Sequence, residues 1–122
     1  MVGYLLTAAQ LDRDDLSPSS FVTSIESLCR VDRNACIRGS SSFGTILEEN
    51  GMGTVYPSLV HPKPGSLDFF SGGYITYNYI PKINALQTEL PTDVRNGVNR
   101  QIYAKNYAQA IVNYMKLNHL LP

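Results

Sequence analysis

The chain has 122 residues, the length of one domain with a single core. Of these residues, 43% are hydrophobic and 16% are charged. Ten lysines and arginines balance ten aspartates and glutamates, and this zero net charge argues against binding nucleic acid or membranes through bulk positive charge. No apolar run approaches the roughly 20 residues of a membrane span, and the apolar start lacks the basic flank of a signal peptide, so a cytoplasmic protein is expected.

The first third of the chain is predicted to hold a strand and a helix. The apolar run Val2–Thr7 is typical of a buried strand. Ser17-Pro18 is a favourable helix start, and apolar residues then recur at helical spacing over 21–29. The segment 31–39, which carries three arginines, is predicted to be a loop.

The middle of the chain is predicted to be a short helix, a short strand and a long loop. The serines at 40–42 offer an N-cap for a helix that begins near Phe43, and Asn50-Gly51 supplies a left-handed stop. A strand over 54–56 and an extended, proline-rich loop over 57–68 follow.

The second half is predicted to hold two more strands and a long helix. Aromatic and β-branched residues over 69–79, interrupted by Gly72-Gly73, indicate a strand pair or a bent strand. The segment 83–90 reads as a strand, and apolar residues at three- and four-residue steps over 93–118 predict a helix with Gly97 as a candidate kink.

This alternation of strands and helices predicts an α/β fold, a partial three-layer α/β/α arrangement with a mixed sheet. Three or four strands are few for a doubly wound sheet, so residues 1–122 are expected to be a single domain that forms part of a larger one. A sheet cut partway would expose an unpaired edge, through which two copies could associate.

The cysteines and histidines do not have the spacing of a complete metal site. Cys29 and Cys36 lie seven positions apart, unlike a redox or zinc-finger pair. A disulfide between them stays an alternative, although free thiols are favoured in a chain without a secretory signal. His61 and His119 have no second ligand-type residue at helical spacing, so no metal site made within this chain is expected.

Glu89 is the candidate catalytic residue, because it lies at the carboxyl end of the predicted strand 83–90. In open α/β sheets these strand ends form the ligand crevice, and a carboxylate there can act as a general base or a metal ligand. The alternative is a rim carboxylate paired with Arg95 or Lys82.

Two other segments are candidate binding elements. In Ser71-Gly72-Gly73-Tyr74 the glycines let a backbone approach a ligand closely, although a simple bend in a strand is the alternative. Arg38 precedes a serine-rich helix start, a suitable cradle for a carboxylate or phosphate, although a solvated arginine beside a capped helix is the alternative.

Taken in order, these segments resemble the carboxyl-terminal half of the N-formylglutamate amidohydrolase family. The specific part is the pair 70–76 (FSGGYIT) and 85–91 (ALQTELP). Weaker matches are Gly3-Tyr4-Leu5-Leu6, Ile37-Arg38-Gly39, Ser42-Phe43-Gly44, Leu47-x-x-Asn50-Gly51 and the long last helix.

The resemblance implies a zinc-dependent amide hydrolase on a carboxypeptidase-like (phosphorylase/hydrolase-like) fold, acting on an N-acyl amino acid or another peptide-like amide. It implies that Glu89 is the general base towards metal-bound water, whose pKa zinc lowers to about 7. The zinc ligands are expected upstream, outside this chain. The substrate-binding residues implied are Arg38, Ser71, Gly72, Gly73, Tyr74, Gln87 and Arg95.

The match has departures that leave a second function open. Relatives often carry an arginine three residues after the glutamate, where this chain has Thr92, and Arg95 comes a turn later. The alternative is therefore a catalytically inactive fragment or copy that serves as a binding module. No nucleic-acid partner is expected, because the tyrosines lack interleaved basic residues and are interpreted as packing residues. No membrane partner is expected, because the net charge is zero and no apolar run is long enough to span a membrane.

Overall fold

The computed structural model describes residues 1–80 and 82–122, and helices carry most of its regular structure. The helices are α1 (Ala8–Leu11), α2 (Arg33–Arg38), α3 (Phe43–Glu49), α4 (Tyr74–Tyr79), α5 (Thr92–Asn96) and α6 (Arg100–Leu117), with a 3-10 helix at Glu26–Leu28. The strands are β1 (Val2–Gly3) and β2 (Gln87–Thr88).

The predicted three-layer α/β/α fold with a mixed sheet is wrong. The described chain is 40% helix and 3% strand. Its sheet is a single antiparallel pair in which Val2 lies opposite Thr88 and Gly3 lies opposite Gln87. The strand predicted over 54–56 is not formed either, although the Tyr56 carbonyl accepts a hydrogen bond from the Val2 amide at 2.8 Å.

Helix α4 occupies a segment whose composition predicted a strand. Gly72 has a φ of 125°, which turns the chain just before the helix. The Gln87 side-chain oxygen accepts hydrogen bonds from the Gly73 amide and the Thr76 hydroxyl, and Thr76 is buried. These contacts come from a distant part of the chain and fix the first turn of α4, so tertiary context overrides the local β preference.

The helix predicted over 21–29 is replaced by irregular chain because its backbone bonds to distant segments. The Ser24 amide donates to the Tyr4 carbonyl at 2.9 Å, and the Ser24 carbonyl accepts from the Ala85 amide at 3.0 Å. A backbone committed to these long-range bonds cannot also make the helical ladder. A 3-10 turn at Glu26–Leu28 is the regular structure that remains there.

The loop predicted over 31–39 instead contains α2. The Asp32 carboxylate accepts a hydrogen bond from the Asn34 amide at 2.8 Å and so caps the helix. Cys29 and Cys36 form a disulfide that ties α2 to the end of the 3-10 helix, so the expectation of free thiols is wrong.

Helix α3 agrees with its sequence signals. The Ser42 hydroxyl accepts a hydrogen bond from the Thr45 amide, and Gly51 follows the helix with a φ of 79°. The Phe43 ring packs edge-on against Tyr107 and Tyr114 of α6, with centroid distances of 6.1 and 5.2 Å. The predicted loop over 57–68 is also confirmed, since its residues form neither helix nor strand.

The last predicted helix is confirmed but divided at Gly97 into α5 and α6. The face that reaches the core differs from the predicted one: Val98 and Ile102 are 97% and 60% exposed, whereas Ala110 and Tyr114 are buried. Tyr103 and Tyr107 also pack against the core cluster, so aromatic side chains contribute to the buried face of α6. Within residues 1–80 and 82–122, no helix has the length and apolarity needed to cross a membrane.

One core cluster connects β1, the irregular segments and the helices. Its fully buried members include Val2, Tyr4, Leu6, Leu11, Leu16, Ile25 and Ile37. Burial raises the pKa of the Tyr4 hydroxyl above its usual range, so this group stays neutral inside the core.

Candidate functional site

The structure brings together the two segments that carry the family resemblance. The Gln87 side-chain oxygen lies 3.0 Å from the Gly73 amide nitrogen and 3.3 Å from the Thr76 hydroxyl. The Ser71–Tyr74 turn therefore lies against β2, in direct contact with the residue that precedes Glu89 on the same face of the strand.

β1 forms the third side of this arrangement. The Leu5 amide donates to the Ser71 carbonyl at 2.7 Å. A Cβ atom at Gly3 would lie 2.5 Å from the Gly72 nitrogen, so the two backbones touch at a place where only glycine fits. Sequence reasoning did not assign Gly3 a role at the site; its only signal was its place in the Gly-Tyr-Leu-Leu match.

Glu89 lies at the end of the two-stranded ladder. Its amide donates to the Met1 carbonyl and its carbonyl accepts from the Met1 amino group, both at 2.9 Å. Burial lowers the pKa of that amino group, and the Glu89 charge partly offsets the shift. The Glu89 side chain is exposed, and in the described part of the chain it forms no ion pair with Arg95 or Lys82.

Arg38 is buried, and its guanidinium is directed at backbone carbonyls. It donates to the carbonyls of Leu11, Arg13 and Asp14 at 2.7, 2.9 and 3.0 Å, and to the Asn34 side chain at 2.7 Å. Burial lowers the pKa of this guanidinium, and nearby carboxylates partly offset the shift. These bonds hold the segment after α1, and the substrate-binding role of Arg38 stays a prediction.

Tyr74 and Arg95 are both exposed and lie close in sequence to the contact between the motifs. Tyr74 begins α4 directly after Gly73 and is 82% exposed. Arg95 lies in α5, six positions after Glu89. Neither side chain makes a hydrogen bond to another described residue, so both are free to contact a ligand.

The described residues do not fit a zinc ion. They contain no group of three or more histidine, cysteine, aspartate or glutamate side chains that could hold a metal. Both cysteines are in the disulfide, and the His61 Nδ1 atom lies 2.7 Å from the Glu48 carboxylate. The same Glu48 oxygen accepts a bond from the Val55 amide at 2.7 Å, so this pair holds a loop in place.

Comparison with known protein families, curated proteins and solved structures finds no match for this chain. The resemblance to amidohydrolases therefore depends on the motif residues themselves, and the activity it implies is a proposal.

Gln87→Leu is expected to lower the free energy of unfolding by about 2 kcal/mol. It removes the acceptor of two part-buried donors, the Gly73 amide and the Thr76 hydroxyl, and a donor left without a partner carries its full desolvation cost. Urea unfolding followed by circular dichroism measures the change.

The matched control is Gln101→Leu, because Gln101 is exposed on α6. This control is expected to change the unfolding free energy by no more than about 0.5 kcal/mol. Equal losses in the two variants would show that the Gln87 bonds do not stabilise the contact between the motifs.

Proposed function

We propose that this chain is the carboxyl-terminal part of a metal-dependent amidohydrolase that cleaves the amide bond of an N-acyl amino acid or a peptide-like substrate. The observation that carries the proposal is the 3.0 Å hydrogen bond from the Gly73 amide to Gln87. It joins the two segments whose residue types match the family, at a sequence separation of 14. This contact supports the proposal because the resemblance assigns both segments to one substrate-binding site.

Glu89 is the general base in this proposal. Its carboxylate takes a proton from the water that attacks the amide carbonyl carbon, and then delivers that proton to the amine that leaves. The carboxylate ends each cycle ionised, as it began. One water is consumed for each amide bond cleaved, because that water attacks the carbonyl carbon. A base of this kind must lie within about 2.6 to 3.2 Å of the proton it abstracts.

Gln87 both positions the turn and faces the substrate. Its side-chain oxygen is occupied by the Gly73 amide and the Thr76 hydroxyl, whereas its side-chain nitrogen has no acceptor among the described residues. That nitrogen is available to donate to a substrate carbonyl. Because the Gly73 amide is already bonded to Gln87, this amide is not an anion donor, and Tyr74 supplies the exposed hydroxyl of the turn.

The proposal requires further protein beside Glu89. Enzymes tune a catalytic carboxylate by burying it, and Glu89 is exposed. The described residues contain no metal-binding group, so the proposal takes its zinc ligands from further protein as well. Residues from one additional segment could therefore both cover Glu89 and hold the metal.

The test is to express the whole reading frame, with any coding sequence upstream of Met1, in zinc-supplemented medium and assay the cleavage of N-formyl and N-acetyl amino acids. Glu89→Gln is expected to lower kcat by about 100-fold to 10,000-fold, the usual contribution of general acid–base catalysis. Its unfolding free energy should stay unchanged, because Glu89 is exposed.

The control Glu49→Gln makes the same chemical change at an exposed residue of α3 and should leave kcat unchanged. Activity that survives Glu89→Gln would exclude Glu89 as the base. A zinc-loaded protein with no amidase activity at all would favour the non-catalytic binding module instead.

A further inference from the structure

An open groove of about 1300 Å³ lies between residues 17–33 on one side and residues 77–80 and 82–84 on the other. Glu89 does not line it. Gly73 and Gln87, which join the two motifs, do not line it either. The groove is therefore distinct from the contact between the motifs and is not used by the proposed function.

Apolar side chains line the groove yet remain open to solvent. Val22, Val31, Tyr77 and Ile83 are 53%, 101%, 69% and 57% exposed. A cluster of exposed apolar groups within one concavity marks an interaction site more strongly than the same groups scattered singly over the surface.

The charges of the groove favour an acidic ligand. Arg30 and Lys82 line it, are exposed, and form no ion pair with another described residue. Glu26 is paired with Arg33 at 2.6 Å, whereas Asp32, which caps α2, keeps its charge, so the cations of the lining exceed its anions by one. The positive charge that is left can attract carboxylates.

Hydrogen-bonding groups and size indicate a peptide. Ser17 and Ser19 line the groove and are exposed, so their hydroxyls are open to a ligand. Asn78 and Asn84 also line the groove; the Asn78 nitrogen donates to the Tyr74 carbonyl and the Asn84 side chain bonds to Ser27, which leaves the Asn78 oxygen and the second amide hydrogens for a ligand. The volume exceeds the roughly 300 to 1000 Å³ typical of small-molecule pockets, so an extended ligand fits it better than a single amino acid.

We infer that this groove binds an extended peptide that carries both apolar and acidic side chains. The apolar side chains of the peptide contact Val22, Val31 and Ile83. Its carboxylates face Arg30 and Lys82, and its backbone amides bond to the serine and asparagine side chains. The disulfide keeps one wall in place, because Cys29 lines the groove.

Fluorescence anisotropy of the full chain with a fluorescein-labelled hexapeptide of alternating leucine and glutamate tests this inference. We expect saturable binding with a Kd of roughly 10 to 100 µM, and much weaker binding of the matched leucine–lysine hexapeptide. The double variant Arg30→Gln/Lys82→Gln is expected to raise Kd about tenfold and to reduce its salt dependence. Ile83→Ser is expected to raise Kd about fivefold.

Lys105→Gln and Ile102→Ser make the same changes on the exposed side of α6, away from the groove, and should leave Kd unchanged. Circular dichroism of each variant checks that it is folded.

Three results would overturn the inference: no binding at 1 mM protein, equal binding of the lysine peptide, or unchanged Kd in the groove variants. A dimer in sedimentation experiments that Ile83→Ser dissociates would assign the groove to a second copy instead. All these variants retain Glu89, so the outcome is independent of the proposed amidase activity.

Discussion

Gly3→Ala is expected to lower the free energy of unfolding by about 3 kcal/mol, at the upper end of overpacking effects. The added methyl carbon would lie 2.5 Å from the Gly72 nitrogen and 2.7 Å from the Ser71 carbonyl carbon. Both are backbone atoms, so no flexible side chain can move aside to make room. Urea unfolding measures the loss.

Gly53→Ala separates this steric cost from the conformational cost of losing a glycine. Gly53 has a φ of 79° and no atom within 4 Å of the added carbon, so its expected loss is about 1 kcal/mol. If Gly3→Ala cost no more than Gly53→Ala, β1 and the Ser71–Tyr74 turn would not be in close contact.

Removing the disulfide with Cys29→Ser/Cys36→Ser is expected to cost about 2.5 kcal/mol. The crosslink joins residues at a sequence separation of 7, and closing a loop of about eight residues removes that much unfolded-chain entropy. The mass of the intact protein before and after reduction and alkylation shows whether the bond is present, and urea unfolding gives its contribution.

Ala35→Ser is the matched control, because this exposed residue lies inside the same loop and cannot crosslink. Its expected effect is within about 0.5 kcal/mol. Wild-type protein that is equally stable with and without reductant would contradict the predicted contribution of the disulfide.

Elements with strong local signals could be predicted from the sequence. Helix α3 has a serine cap before it and an asparagine–glycine stop after it, and both act as predicted. The eighteen-residue helix α6 and the break at Gly97 were also predicted, although the apolar residues at helical spacing indicated the wrong buried face. In these elements the residues that decide the structure are neighbours in the chain.

Elements decided by distant contacts could not be predicted in this way. The composition of the tyrosine-rich segment of α4 predicts a strand. In the structure, Gln87 accepts hydrogen bonds at the first turn of this segment, which is a helix. The apolar spacing around Ser24 predicts a helix, but the Ser24 backbone forms hydrogen bonds with Tyr4 and Ala85 instead. Since the predicted sheet was assembled from such segments, these local errors also made the fold class wrong.

The candidate site was predictable in part. The motif match named Gly73 and Gln87, and these residues are in contact. The buried position of Arg38 and the groove beside Arg30 and Lys82 had no signal in the sequence, because burial and concavity arise only when distant segments pack together.

The bond between the Met1 amino group and the Glu89 carbonyl has a practical consequence for protein production. Any residues joined ahead of Met1, whether they belong to the protein or to a purification tag, would turn this amine into a backbone amide next to Glu89 and would run alongside Leu90. A tag joined after Pro122, which is exposed, would leave these surroundings unchanged. Activity and stability assays should therefore use carboxyl-terminal tags.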